Sequence, residues 1–334
     1  MDDDRGLIER IARDVDCVVM DCDGVIWHGD TLLPGVRGSI ALLREQGKRL
    51  VFVTNNSNKS RAQYVHKFET LGIHVEKEEV FSAAFAAAAY LKTQGMDEKV
   101  FVVGGRGIVD ELNEMQIAVD PGVFDAVQCA EADWEELFVE DDVGAVIVGQ
   151  DTRFTYAKLA YASLAIQKGA RFVATNPDAA DFLGPGLMPG AGAVAAAVET
   201  ATGKAPEIYA GKPSAFLLEL LRGNGVDMAR TLVVGDRLDT DVAFGRSGGA
   251  GLTVLTLGGV SSLDDVDAVI ADKIEECIPD AIVEGLPQML GIEARDEEEA
   301  TEEDEEEEEE MDEDDEEAFD LEEDQAERDA FGAF

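Results

Sequence analysis

The chain has 334 residues, 46% of them hydrophobic, with 72 acidic against 27 basic residues and a formal charge of −45. Residues 296–334 hold 25 of the acidic residues and one basic residue, Arg328, so that segment carries −24 and residues 1–295 carry −21. Nucleic acid and anionic membrane surfaces are recognised by clustered Lys and Arg, so this balance argues against both as partners.

The length suits two compact domains plus a tail. No stretch approaches the roughly 20 apolar residues that span a bilayer. The longest small-apolar run, Ala191–Val198, is short and contains Gly192. The N-terminus is acidic and leads into a polar, helix-like segment, unlike a secretory signal. Cys17, Cys22, Cys129 and Cys277 form no CxxC pair. They read as reduced core thiols of a cytoplasmic protein.

In chain order, short β-branched runs end abruptly in polar residues or glycine. They are Cys17–Met20 before Asp21, Leu50–Val53 before Thr54, Val100–Val103 before Gly104, and Ala145–Val148 before Gly149. Phe172–Ala174, Leu232–Val234 and Thr253–Leu257 follow in the same way. They are too short for helices and read as buried strands. Between them lie segments of helical period: Gly38–Glu45, Arg61–Leu71, Ala83–Thr93, Tyr156–Lys168, Ala193–Thr200, Ser214–Asn224 and Asp239–Ser247. A further helix is expected from Leu263, a short strand at Ala268–Ile270, and a last segment at Ile278–Leu290. The alternation predicts an α/β protein with a largely parallel sheet, whose ligands sit at the carboxyl ends of the strands. Beyond Gly291 the composition collapses to Glu and Asp, which cannot bury enough surface to order itself, so disorder is expected.

Four signals lie at or near those strand ends: Asp21-Cys-Asp23-Gly, Thr54-Asn55-Asn56-Ser, Gly211-Lys212-Pro, and Gly235-Asp236 with Asp241 five residues on. Each alone has a plainer reading. Asp-x-Asp-Gly arises by chance in about one such chain in five, Thr-Asn-Asn-Ser suits a turn, Gly-Lys-Pro suits a loop, and the last suits a helix cap. Together they supply what phosphoryl transfer needs. A carboxylate nucleophile facing a phosphate meets roughly 5 kcal/mol of repulsion per unit-charge pair at ~3.5 Å and an effective dielectric of ~20. A cation must therefore sit between them. Asp21 and Asp236 offer hard oxygen ligands for magnesium, Lys212 offers a fixed positive charge, and the Thr54 hydroxyl can donate to a phosphoryl oxygen. Catalysis is then positioning and charge neutralisation.

With Trp27 and Gly29, with Asp151, Phe154, Tyr156, Lys158 and Leu159, and with Ala174-Thr-Asn-Pro-Asp178, these motifs resemble the haloacid dehalogenase superfamily in its p-nitrophenylphosphatase and NagD-like branch, over roughly residues 14–290. The resemblance implies a Rossmann-like core, residues 1–96 and 207–291, with a large α/β cap inserted at 97–206, and composition sets the acidic tail at 292–334 apart from both. It implies Asp21 as nucleophile and magnesium ligand. Asp23 becomes general acid and then base, its carbonyl also binding magnesium. Thr54, Asn55 and Asn56 orient the phosphate, Lys212 holds nucleophile and phosphate together, Asp236 binds magnesium, and Asp241 steadies the metal's waters or Lys212. The implied partner is a small phosphorylated metabolite, with a homodimer through the cap also implied. A dehalogenase would lack Asp23, and a phosphonatase would need a smaller helical cap. The alternative of another class is an inactive core acting through its acidic tail.

The remaining motifs have plain readings. Gly104-Gly-Arg-Gly107 reads as a strand-to-helix turn and Gly258-Gly259 as a turn after the last strand. His28, His66 and His74 lack ligand spacing, and Trp134 reads as cap packing. Met188-Pro-Gly-Ala-Gly192 suits a loop near the site. The acidic body suggests a salty cytoplasm, as in a halophile, because high salt screens self-repulsion.

Overall fold

The computed structural model describes residues 2–120, 137–183 and 186–292. The expected acidic tail, Trp134 and Cys129 lie outside the described residues. The β-branched runs form a six-stranded sheet in the order Ala281–Val283, Leu252–Thr256, Thr231–Gly235, Cys17–Met20, Arg49–Thr54, Val80–Ser82. Every pairing in it is parallel. A parallel sheet is covered on both faces, which explains why its strands are apolar throughout rather than alternating. Val18, Met20, Leu50, Phe52, Leu232 and Val234 pack with Leu7 and Ile11 of helix Asp2–Asp14 and Leu43 of helix Val36–Glu45. Val19, Val51, Val53 and Val233 point the other way, onto helices Ala83–Thr93, Ala215–Gly223 and Ala243–Gly248.

A second parallel sheet runs Ile208–Tyr209, Arg171–Ala174, Val143–Val148, Lys99–Val103, Val119–Asp120. Its outer face is covered by helices Tyr156–Lys168 and Ala191–Thr202. Its inner residues Val100, Ala145, Ile147 and Val173 join the same apolar cluster as the alanine-rich helix Ala83–Thr93. Small alanines let that helix lie close to both sheets, so one hydrophobic cluster runs between the lobes. The antiparallel pair Ala180–Leu183 and Gly186–Pro189 projects from the second sheet.

Three local expectations change. Ala268–Ile270 is the end of helix Leu263–Ala271, which starts from a Ser262–Asp265 capping box and buries Val266. The capped amphipathic turn outweighs a three-residue β-branched run. The edge strand is instead Ala281–Val283. The segment expected as one helix over Asp239–Ser247 opens with a widened turn, in which the Val242 N–H reaches the Arg237 carbonyl at 3.2 Å, before helix Ala243–Gly248. Finally, Ile208–Tyr209, expected in the first lobe, is hydrogen-bonded to the second sheet. Among the described residues no helix is long and apolar enough to cross a membrane.

Candidate active site

The register of the first sheet assembles the site. Cys17–Met20 is central, flanked by Arg49–Thr54 and Thr231–Gly235, so Asp21, Thr54 and Asp236 emerge side by side at the carboxyl edge. The Asp21 N–H bonds the Val234 carbonyl at 2.9 Å, extending the ladder to the first residue of the site. The cleft above holds about 500 Å³ and is lined from both lobes, with Asp21, Asp23, Thr54, Asn56, Lys212 and Asp236 from the first and Gln150, Asn176, Asp178 and Asp181 from the second.

Lys212 is the hub. Its buried ammonium donates to Asp21 Oδ1 at 2.6 Å, Asp241 Oδ1 at 2.6 Å and the Val53 carbonyl at 2.8 Å. Burial acts to lower its pKa, but the charges of Asp21 and Asp241 outweigh that and hold it well above the ordinary lysine value. Asp241 thus shares the Lys212 ammonium with Asp21. Burial also raises the carboxyls: Asp21 against the pull of Lys212, and Asp241 to about 6. Asp236 is pushed well above the ordinary carboxylate value, first by burial and then by the charges of Asp21 and Asp241.

Oxygens of Asp21, Asp236 and Asp241 lie within 4.8 Å of one another. Lys212 bonds two of these carboxylates, while Asp236 accepts the Val260 N–H at 2.7 Å. An all-oxygen set with more negative charge than its lysine neutralises fits a hard divalent cation such as magnesium. Glycines make room for the Asp236 side chain. A Cβ on Gly259 would fall 1.9 Å from Asp236 Oδ2, and one on Gly24 2.7 Å from the same atom. The Gly258-Gly259 turn thus does more than reverse the chain, since Gly259 allows the backbone to press on Asp236.

The loop after Thr54 divides its work. Thr54 Oγ1 accepts the Asn56 N–H at 3.1 Å. Asn56 lines the cleft and braces the turn through its Oδ1, which accepts from the Asn58 N–H at 2.9 Å. The Asn55 side chain has another use. Its Nδ2 donates to Asp178 Oδ2 at 3.1 Å and the Lys212 carbonyl at 3.2 Å, and its Oδ1 accepts the Lys212 N–H at 2.8 Å. The Asn55 carbonyl accepts from Asn176 Nδ2 at 2.6 Å. Asn55 therefore ties the two lobes and the Lys212 backbone together while also lining the cleft.

Other residues were not legible as site residues. Arg237 donates to the Ala180 carbonyl at 3.2 Å and lies 4.0 Å from Asp178, adding a second tie between the lobes. Asp181 accepts from Gln150 Nε2 at 3.2 Å, and burial followed by the charge of Asp178 raises its carboxyl to about 6. His28 lines the cleft from an exposed position. Met188 to Gly192, expected as a loop near the site, are the end of strand Gly186–Pro189 and the start of helix Ala191–Thr202, and the Pro189 carbonyl accepts from the cleft residue Gln150 at 3.2 Å. A Cβ on Gly190 or Gly192 would meet the carbonyls of Asp178 or Pro177 at 2.3 and 2.2 Å. Gly105 and Gly107 do turn the chain from strand to helix, and they also let that helix press on Asn58 and Lys59 of the catalytic loop.

These features converge with known sequences. A model of haloacid dehalogenase-like hydrolases matches residues 18–118, and a second HAD-like hydrolase model matches 209–289. The chain belongs to the haloacid dehalogenase-like hydrolases. Within them it groups with the p-nitrophenylphosphatase and NagD-like phosphatases, hydrolases of phosphoric monoesters. Phosphoglycolate phosphatase 2 of Arabidopsis thaliana is 43% identical over 274 residues, covering 80% of this chain and 89% of that protein. The p-nitrophenyl phosphatase of Archaeoglobus fulgidus superposes with a TM-score of 0.71 at 30% identity, covering 83% of this chain and 99% of that one. A glycerol phosphate phosphatase of Mycobacterium tuberculosis, solved with magnesium, gives a TM-score of 0.69 at 32% identity and covers 84% and 77%.

Proposed function

We propose that the protein is a magnesium-dependent phosphatase of small metabolites that works through an aspartyl-phosphate. The observation that carries this reading is Lys212, bonded at 2.6 Å to both Asp21 and Asp241 beside the cation-poor Asp236. Bound between Asp21 and Asp236, with the Asp23 carbonyl, magnesium would neutralise phosphate charge.

The chain's own groups do the rest. Lys212 keeps Asp21 ionised and aimed. An Asp21 oxygen attacks phosphorus while the bond to the leaving oxygen breaks, and Asp23 gives that oxygen its proton. Asp23, now a carboxylate, takes a proton from water as the water oxygen attacks phosphorus. The bond to Asp21 breaks, releasing inorganic phosphate and restoring both carboxyls. The Thr54 hydroxyl and the Asn56 side of the loop orient the phosphoryl oxygens. A cleft of about 500 Å³ roofed by the second lobe suits compact esters of the phosphoglycolate or glycerol phosphate kind. It does not suit phosphoproteins.

The test is phosphate release from p-nitrophenyl phosphate, glycerol phosphate and phosphoglycolate. Asp21→Asn should abolish turnover and acid-stable labelling. Asp23→Asn should cost alkyl esters about 10²–10⁴-fold. Full activity in excess chelator, or of Asp21→Asn, would overturn the scheme. The −21 carried by residues 1–295 further supports a salt-rich cytoplasm. A chain truncated after Arg295 should keep turnover at molar salt and lose melting temperature as salt is withdrawn. Indifference to salt would refute that adaptation.

A further inference from the structure

Asp23 is exposed, and an exposed carboxylate normally samples several rotamers. Here one of its oxygens is held. The Trp27 indole Nε1 donates to Asp23 Oδ1 at 3.0 Å. The backbone closes the same loop, since the Gly24 N–H bonds the Trp27 carbonyl at 2.9 Å and the Trp27 N–H bonds the Cys22 carbonyl at 3.2 Å. Trp27 itself has no exposed surface. Its ring stacks on Tyr64 at 6.3 Å and 11°, meets Phe68 edge-on at 4.8 Å, and carries Lys67 Nζ 3.9 Å above its face. Lys67 is tied in turn to the Gly29 carbonyl. A buried indole N–H needs an acceptor, and packing on three sides fixes where that N–H points.

We propose that Trp27 is a positioning residue for the acid–base step. Its rigid indole N–H holds Oδ1 of Asp23, so that Oδ2 is the atom presented to the leaving oxygen and then to water. The inference rests on the acid–base role of Asp23 given above. Sequence reading placed Trp27 only among the residues that carry the family resemblance, because nothing local says where its N–H points.

The chemistry supplies a readout that a packing role would not move. Protonation of the leaving oxygen matters greatly for an alkoxide and little for p-nitrophenolate. The comparison belongs on kcat/KM, which covers the steps through alcohol departure and omits the water attack that both esters share. Trp27→Phe keeps an aromatic ring and deletes the donor. It should lower kcat/KM for glycerol phosphate by about 10-fold or more while lowering that for p-nitrophenyl phosphate by less than about 2-fold. Phe68→Leu loosens the same packing without touching the donor, so it should lower the melting temperature and leave the ratio of the two substrates unchanged. In an Asp23→Asn background, Trp27→Phe should cost the alkyl ester nothing further. An equal loss on both esters in Trp27→Phe, or the same additional loss in the Asp23→Asn background, would overturn the inference. If Asp23→Asn alone turns over glycerol phosphate normally, it is the acid–base reading that fails.

Discussion

Replacing Gly259 with alanine tests how closely the structure ties a glycine turn to metal binding. The added Cβ would lie 1.9 Å from Asp236 Oδ2 and 2.5 Å from its Cβ and Cγ. Ordinary contact begins near 3.4 Å, so the carboxylate or the turn must move by about 1.5 Å. Asp236 has little room to move. It is 3% exposed, it accepts the Val260 N–H at 2.7 Å, and Gly24 closes its other side. Metal–ligand distances tolerate only about ±0.2 Å, and a misplacement of about 1 Å in a catalytic group can cost about 10²-fold. Gly259→Ala should therefore raise the magnesium needed for half-maximal activity by about 10–100-fold and lower kcat/KM at fixed magnesium by about 10²-fold. The assay is phosphate release from p-nitrophenyl phosphate across a magnesium titration, with a thermal melt to show that the variant folds. Gly38→Ala is the control. It sits exposed in helix Val36–Glu45 with nothing within 4 Å of the new Cβ, and should stabilise by about 0.5–1 kcal/mol without touching the titration. A Gly259→Ala enzyme with the wild-type magnesium midpoint and turnover would refute the reasoning.

Two other perturbations separate the joint between the lobes from the chemistry. Asn55→Ala strips Asp178 and the Lys212 N–H of a buried partner and should cost about 3 kcal/mol in urea denaturation; an unchanged midpoint would show the joint to be dispensable. Asp181 has a folded value of about 6 against an ordinary 3.8, so its stabilising effect is complete at low pH and is lost as pH rises from about 4 to 6. Asp181→Asn should thus gain about 1 kcal/mol over the parent at pH 8, with the gain gone by pH 4; a gain independent of pH would show that ionisation is not the cause.

The sequence determined the α/β class, the main strands and the Asp21 loop, because these are local. A β-branched run of four to six residues ending in Asp or Thr is both a buried strand and a site edge, whatever surrounds it. Asp21, Thr54, Lys212 and Asp236 could be named as one site because four polar clusters lie at or near such ends. The strands Val80–Ser82 and Ala281–Val283 were not legible: three residues carry too little pattern, and their conformation comes from the neighbour they pair with. The same limit applies inside the site. Asn55 reads as a phosphate ligand in a Thr-Asn-Asn string, and nothing local says that its amide also bonds Asp178, 123 positions away, and Lys212, 157 positions away. Gly259 looks like a turn until Asp236 is seen against it. Trp27 is only a residue of the family signature until its N–H is found on Asp23. Local sequence encodes backbone preference and residue chemistry. Which hydrogen bond a polar group spends, and on which partner, is decided by the crossing of parallel strands and the seating of the second lobe, and so only the tertiary structure decides it.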